Sequence, residues 1–125
     1  MKDNWRVPSI EELVSIIDYS KDSPATDLPK MEPFYYWSST TYASNTYDAW
    51  YVHFYSGFVH YFFNKNYDYY VRCVRGRQSG SSDYKGERFI KKKDCYLDMK
   101  TGLEWSLENI GPMTWKEAIE KQEDL

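Results

Sequence analysis

The sequence predicts an α+β domain, with two short helices packed on small antiparallel sheets. Three observations predict it. Two segments, Ser9 to Glu12 and Thr114 to Glu117, carry the signature of a capped amphipathic helix. Between them, from Ala49 onward, apolar residues alternate with a period of two. The chain's 125 residues are the size of one ordinary domain, large enough to bury a core without staples, so residues 1–125 are expected to form a single unit.

In the first helix Ser9 caps the backbone donors and Glu12, three residues on, returns the bond, while Ile10, Leu13, Ile16 and Ile17 form the buried stripe. Ser20 to Pro33, rich in Pro, Asp and Ser, reads as an irregular surface loop. From Ala49 the alternation puts Trp50, Val52 and Phe54 on one face and Tyr51, His53 and Tyr55 on the other. Ser56-Gly57 suits a tight turn into a strand from Phe58 to Phe63, and Asn64 to Asp68 is a polar turn into Tyr70 to Arg75, where Val71 and Cys73 share a face. Gly76 to Gly86 is a flexible linker by composition. Cys95 to Asp98, the turn Met99 to Gly102 and Leu103 to Trp105 make a further hairpin. The second helix follows, with Trp115, Ala118 and Ile119 facing inward.

Composition removes several function classes. A net charge of −3 and a pI near 5.4 give no overall attraction to phosphate backbones, so nucleic-acid binding is disfavoured. The run Lys91 to Lys93 reads as a solvated edge. No apolar stretch approaches the ~18 residues of a membrane span, and Met1-Lys2-Asp3-Asn4 lacks a signal-peptide core, so direct membrane insertion is not expected. Cys73 and Cys95 do not make a disulfide framework or a zinc site; two buried thiols, or one bridge if their strands are neighbours, are both open. His53 and His60 lie seven apart with no third metal ligand in view, and no cofactor is expected. Arg6, Arg72 and Arg75 read as structural ion pairs or surface charges.

The segment Tyr42 to Tyr70 holds 13 of the 24 aromatic residues, set among Asn, Asp, His, Ser and Gly rather than among aliphatics. From Tyr47 on, a frame of Ala49, Trp50, Val52, Phe54, Gly57, Val59 and Lys65 is interrupted by Tyr, His, Phe, Asp and Asn. One codon family accounts for those interruptions: codons AAY encode Asn, and replacing only their adenines yields Tyr, His, Asp or Ser in one step and Phe in two. A sticky β-surface rich in Tyr and Asn is the plainer account.

Trp5-Arg6-Val7-Pro8-Ser9-Ile10-Glu11-Glu12-Leu13, Tyr36-Trp37-Ser38-Ser39-Thr40-Thr41-Tyr42, Ala49-Trp50-Tyr51-Val52, Tyr70-Val71-Arg72-Cys73-Val74-Arg75, Thr101-Gly102-Leu103-Glu104-Trp105 and Met113-Thr114-Trp115-Lys116-Glu117-Ala118 span nearly the whole chain. Together they resemble the bacterial domain typified by the C-terminal part of the collagen-like adhesin Lcl. Its domains are similar to the formylglycine-generating-enzyme variant of the C-type lectin fold. The order departs from that family, where the Gly-Leu-x-Trp hairpin and the Thr-Trp-x-x-Ala helix come first. The resemblance therefore implies a family C-terminal part at 1–75, a linker at 76–86 and a family N-terminal part at 87–125. Such a chain is either circularly permuted and closed as a monomer or cut from a tandem array and exchanging halves in a swapped dimer.

Formylglycine-generating enzymes use two cysteines five residues apart upstream of a strand motif like Arg72-Cys73. Counting back by five and ten residues reaches Asp68 and Phe63, so those thiols are missing and no enzyme activity is expected. No Ser-His-Asp order, Gly-rich phosphate loop or His-Glu-x-x-His helix replaces them. The adenine pattern resembles the variable region of proteins diversified by diversity-generating retroelements, which use this fold as a scaffold, although there the variable stretch usually ends the gene and here about fifty residues follow. In that reading Trp50, Val52, Phe54, Val71 and Cys73 hold the sheet. Tyr47, Asp48, His53, Tyr55, Phe58, His60, Tyr61, Phe62, Phe63, Tyr67, Asp68 and Tyr69 are the ligand contacts. The expected ligand is a protein on another cell, phage or virion surface, with a glycan second, and the domain is expected to be displayed as part of a longer assembly. The competing class is a fixed-specificity adhesin-like unit.

Overall fold

The computed structural model describes residues 4–61, 65–79 and 83–122. Its elements are α1 (Ile10–Val14), β1 (Tyr35–Thr41), β2 (Ala49–His53), β3 (Phe58–His60), β4 (Tyr69–Arg75), β5 (Phe89–Lys91), β6 (Cys95–Asp98), β7 (Glu104–Met113) and α2 (Trp115–Gln122). The chain is α+β, but the expected small antiparallel sheets are one seven-stranded mixed sheet in the order β3-β2-β1-β4-β7-β6-β5. The central pair β1 and β4 runs parallel, joined at Tyr36 opposite Tyr70, and every other neighbouring pair is antiparallel. Strands β1 and β5 carry no period-two signal of the kind read at β2. β1 packs on both faces, which removes the alternation.

Both helices begin as their sequences dictate. Ser9 Oγ accepts the Glu12 amide and the Glu12 carboxylate accepts the Ser9 amide, a reciprocal cap; Thr114 and Glu117 repeat it at α2. α1 buries Leu13 and, in the turn that follows, Ile16, with Ile10 and Ile17 partly buried beside them. α2 lies on the opposite face of the sheet, where Ala118 is buried and Trp115 and Ile119 pack beside Trp37, Val71 and Cys73.

Two cores result, one on each face of the sheet. The first joins Tyr36, Val52, Phe54, Val74, Leu103 and Trp105 with α1; the second joins Trp37, Tyr51, Tyr69, Val71 and Cys73 with α2. The segment expected as a surface loop, Ser20 to Pro33, supplies Ala25, Leu28 and Met31 to the interior. It is irregular because its backbone bonds go to strand ends rather than to a ladder, as when the Ala25 amide donates to the Phe54 carbonyl at 2.7 Å.

Arg72 corrects another expectation. It is neither a surface charge nor an ion pair: it is fully buried on β4 and donates to the carbonyls of Ser106 (2.7 Å), Pro29 (2.8 Å) and Leu107 (3.3 Å). It thereby ties the loop to β7, and burial draws its pKa down to about 10, leaving it charged at neutral pH. Arg6 and Arg75 do form ion pairs, with Glu12 and with Glu104 and Asp94 respectively.

Cys73 and Cys95 are both buried and free. Their strands are not neighbours, because β7 runs between β4 and β6, with Ser106 opposite Cys95 and its hydroxyl 3.1 Å from the Cys73 amide. Two ladder spacings of ~4.8 Å separate those strands, beyond the ~4.4–6.8 Å that a bridge requires between Cα atoms. The amino-terminal segment closes against the far end of the chain: the Val7 amide donates to Gln122 Oε1 at 2.9 Å and Arg6 bridges Val74.

Candidate functional site

Registers across β1, β2 and β3 build the site. Tyr35 lies opposite His53 and His53 opposite Phe58; Trp37 lies opposite Tyr51 and Tyr51 opposite His60. Residues directly opposite share a face, and rows two residues apart share it too, so both aromatic rows stand on one side of the sheet. α2 covers that side at the Trp37 end and leaves the β3 edge uncovered, where Phe58 is 51% exposed.

The rings there touch in sequence rather than standing singly. Tyr69 stacks on Tyr35 at 4.7 Å, and Tyr35 on His53 at 4.0 Å. Phe58 stacks on His60 at 5.3 Å, His60 on Tyr61 at 4.9 Å, and Tyr61 on Tyr42 at 3.6 Å with the rings 5° from parallel. Trp50 meets Tyr42 and Tyr61 edge-on. Packing of this kind restricts the rotamers of the rings.

The twelve predicted contacts divide by exposure. Tyr47, Tyr55, Phe58, Tyr67 and Asp68 are exposed, Tyr47 to 80%, and Asp48, His53, His60 and Tyr61 are half-buried. Tyr69 departs from the expectation of a surface contact: it is 8% exposed, because Trp37, Tyr35 and Tyr51 enclose it, and it supports the face from beneath. Phe62 and Phe63 lie outside the described residues. Tyr51, assigned by alternation to the same side as His53, is on that side but only 1% exposed. Tyr35 and Tyr42 join the array without having been singled out as contacts, and Trp50, which alternates with Tyr51 along β2, touches it only through Tyr42 and Tyr61. No spacing marks Tyr35 in the sequence, since Tyr35, Tyr36 and Trp37 are all aromatic; the pairing of β1 with β2 places it opposite His53.

Lys65 is a structural residue at this site. Its ammonium donates to the Thr46 carbonyl (2.6 Å) and Thr41 Oγ1 (3.1 Å) and lies 3.9 Å from the centre of the Trp115 ring, clamping the loop before β2 to α2. Burial lowers its pKa. Burial also lowers that of His53, partly offset by a hydrogen bond with the Pro33 backbone, which favours a neutral imidazole at pH 7. Burial raises the Tyr51 hydroxyl to about 12 and raises Tyr69, while its bond with Tyr42 raises Tyr61. The phenols are therefore protonated at neutral pH, each a donor and an acceptor.

Among the described residues no group of three or more His, Cys, Asp and Glu side chains is gathered that would hold a metal ion, and no helix is long and apolar enough to cross a membrane. A cleft of about 340 Å³ sits on the other half of the molecule, lined by Asp27, Pro29, Glu87, Arg88 and Phe89. Arg88 is already engaged there, with Asp98 and the Ser15 carbonyl, so its polarity is structural.

The molecule is thus a single-sheet α+β domain with one helix on each side and an aromatic face at one sheet edge. The chain belongs to the Lcl C-terminal domain family, whose model matches residues 1–75. The match takes in α1 through β4 and hence the whole described aromatic face. No curated protein and no solved structure matches the chain.

Proposed function

We propose that this is a non-catalytic ligand-binding domain, a variant of the C-type lectin fold, whose aromatic face recognises protein surfaces and is diversified by a retroelement. One observation carries the reading: the described residues reachable from Asn codons through adenine changes are mostly exposed or half-buried, while the frame between them is buried at Ala49, Val52, Phe54 and Gly57 and half-buried at Trp50, Val59 and Lys65. Tyr47, Tyr55, Phe58 and Tyr67 are exposed, whereas Ala49, Val52, Phe54 and Gly57 are buried. Sequence change limited to the first set would alter contacts and leave the sheet unaltered. Tyr suits such a role, offering a wide amphipathic contact with two torsions to freeze.

The segment order agrees with a permuted chain. β4 of the first half pairs with β7 of the second within one sheet, and Val7 meets Gln122, so the segments near the chain's two present ends lie together. The same β4–β7 pairing made between two chains would give a half-swapped dimer, which mass in solution distinguishes from a monomer. Display on a cell, phage or virion surface belongs to this reading.

The second reading is a fixed-specificity adhesin-like domain for a glycan or surface partner. Tyr51 and Tyr69 favour it, being reachable from Asn codons yet buried. The deciding experiment is the sequence of the gene and its flanks. A second copy of the stretch from Tyr42 to Arg75 that differs only at adenines, near a reverse transcriptase gene, is expected. Its absence refutes diversification and leaves the adhesin-like domain.

A further inference from the structure

Tyr42 and Tyr61 are stacked more closely than ring packing alone favours. Aromatic pairs ordinarily sit offset or edge-to-face with centroids ~4.5–7 Å apart, because a face-to-face sandwich sets like ends of two quadrupoles together. Here the centroids are 3.6 Å apart and the rings 5° from parallel. A side-chain hydrogen bond joins the two hydroxyls, so both phenols point the same way. Trp50 meets both rings edge-on, at 5.9 Å from Tyr42 and 4.8 Å from Tyr61, and holds the pair from the side. Each carbon ortho to a hydroxyl therefore faces its counterpart on the other ring across about the same 3.6 Å. That is close to the ~3–3.5 Å at which two reacting atoms are poised to combine.

Accessibility sets this pair apart from the other tyrosine pairs described. Tyr35 with Tyr69, Tyr67 with Tyr69, and Tyr36 with Tyr70 stand at 4.7, 6.4 and 5.6 Å. Each of those includes a buried ring, Tyr69 at 8% exposure or Tyr36 at 0%. Tyr42 and Tyr61 are both half-buried and so partly open to solvent.

We propose that Tyr42 and Tyr61 are a site of oxidative cross-linking, joined as dityrosine by a one-electron oxidant of the peroxidase class that consumes hydrogen peroxide. Each phenol gives up one electron and its hydroxyl proton. The two phenoxyl radicals pair their electrons in a bond between Cε atoms, and the hydrogens on those carbons move to the oxygens, restoring both rings. The two electrons and two protons released reduce one hydrogen peroxide to two waters. The new bond ties the start of the loop that carries exposed Tyr47 to the residue that follows β3, and so closes that edge of the aromatic face. It does not depend on the binding role proposed above, since a diversified face and a fixed one would carry it alike.

The test treats the whole chain, dilute, with a haem peroxidase and hydrogen peroxide. The expected product is a single chain lighter by two hydrogen atoms, with the blue fluorescence of dityrosine. Cleavage before Asp48 followed by fragmentation is expected to show the two segments joined through Tyr42 and Tyr61. Tyr42→Phe and Tyr61→Phe, which keep both rings, are each expected to abolish the product, with the amide spectrum showing an intact fold. Tyr19→Phe, at a tyrosine 70% exposed and remote in sequence from the pair, is expected to leave the yield unchanged. An undiminished yield in Tyr42→Phe, or a link through any other tyrosine, overturns the assignment. So does a product made only of two chains joined together, or no product while free tyrosine in the same mixture is converted.

Discussion

Phe58 and Tyr69 stand on the same aromatic side, yet Asn substitutions at the two positions should differ several-fold in cost. Phe58 is 51% exposed at the β3 edge, so replacing it forfeits about half of the transfer energy of a buried aromatic, roughly 1 kcal/mol. Tyr69 is 8% exposed and stacked among Tyr35 at 4.7 Å, Trp37 at 4.5 Å and Tyr51 at 5.5 Å. Its loss leaves a cavity lined by rings and places an amide there, about 4 kcal/mol. For a domain of this size 1 kcal/mol moves the melting temperature by about 4 °C. Thermal unfolding followed by circular dichroism should therefore show a fall of about 4 °C for Phe58→Asn and about 15 °C for Tyr69→Asn. Equal losses would mean that Phe58 is covered in solution, as when two copies meet through this face, and the argument for a free contact surface would collapse.

Three further outcomes follow from the core and its edges. Arg72→Met should lower stability by about 3 kcal/mol in urea titrations, since three carbonyls lose their donor; a change under about 1 kcal/mol would mean that the desolvation of the guanidinium had offset its bonds. Gly57→Ala should cost about 2 kcal/mol, because φ is +86° there and an added Cβ would come 2.7 Å from Ile17 Cγ2 and 2.9 Å from Tyr19; a neutral result would refute that tight approach. His53 has a pKa below its ordinary value of 6.5. As pH falls through ~6.5 the unfolded chain takes up the proton first, so stability present at neutral pH drains away until the folded pKa is passed. Urea midpoints at pH 7.5 and 5.5 should differ less in His53→Phe than in the parent, and an identical difference would exclude His53 as the source.

Much of the fold was legible because its signals are local. Caps are read from residues three apart, and both were found where Ser9 and Thr114 predict them. The hairpin of β6 and β7 was marked by its turn. β1 was not legible as a strand, since a strand packed on both faces shows no alternation, and its parallel pairing with β4 joins segments more than thirty residues apart. The loop from Ser20 to Pro33 has the composition of a surface segment; burial of Leu28 and Met31 follows from Arg72 reaching the Pro29 carbonyl, a contact over 43 residues.

By itself the sequence determined where helices start, which residues of β2 and β4 alternate, and that aromatic residues crowd one segment. Those are properties of neighbours along the chain. Only the tertiary structure decided which rings are a surface and which a floor, because exposure depends on what lies across the sheet. α2, joined to the chain some fifty residues after the aromatic segment, covers Trp37 and leaves Phe58 bare. Likewise β7, inserted between β4 and β6, keeps Cys73 and Cys95 apart. No residue spacing records which strand lies between two others, since that order is set by the joint burial of both faces of the sheet.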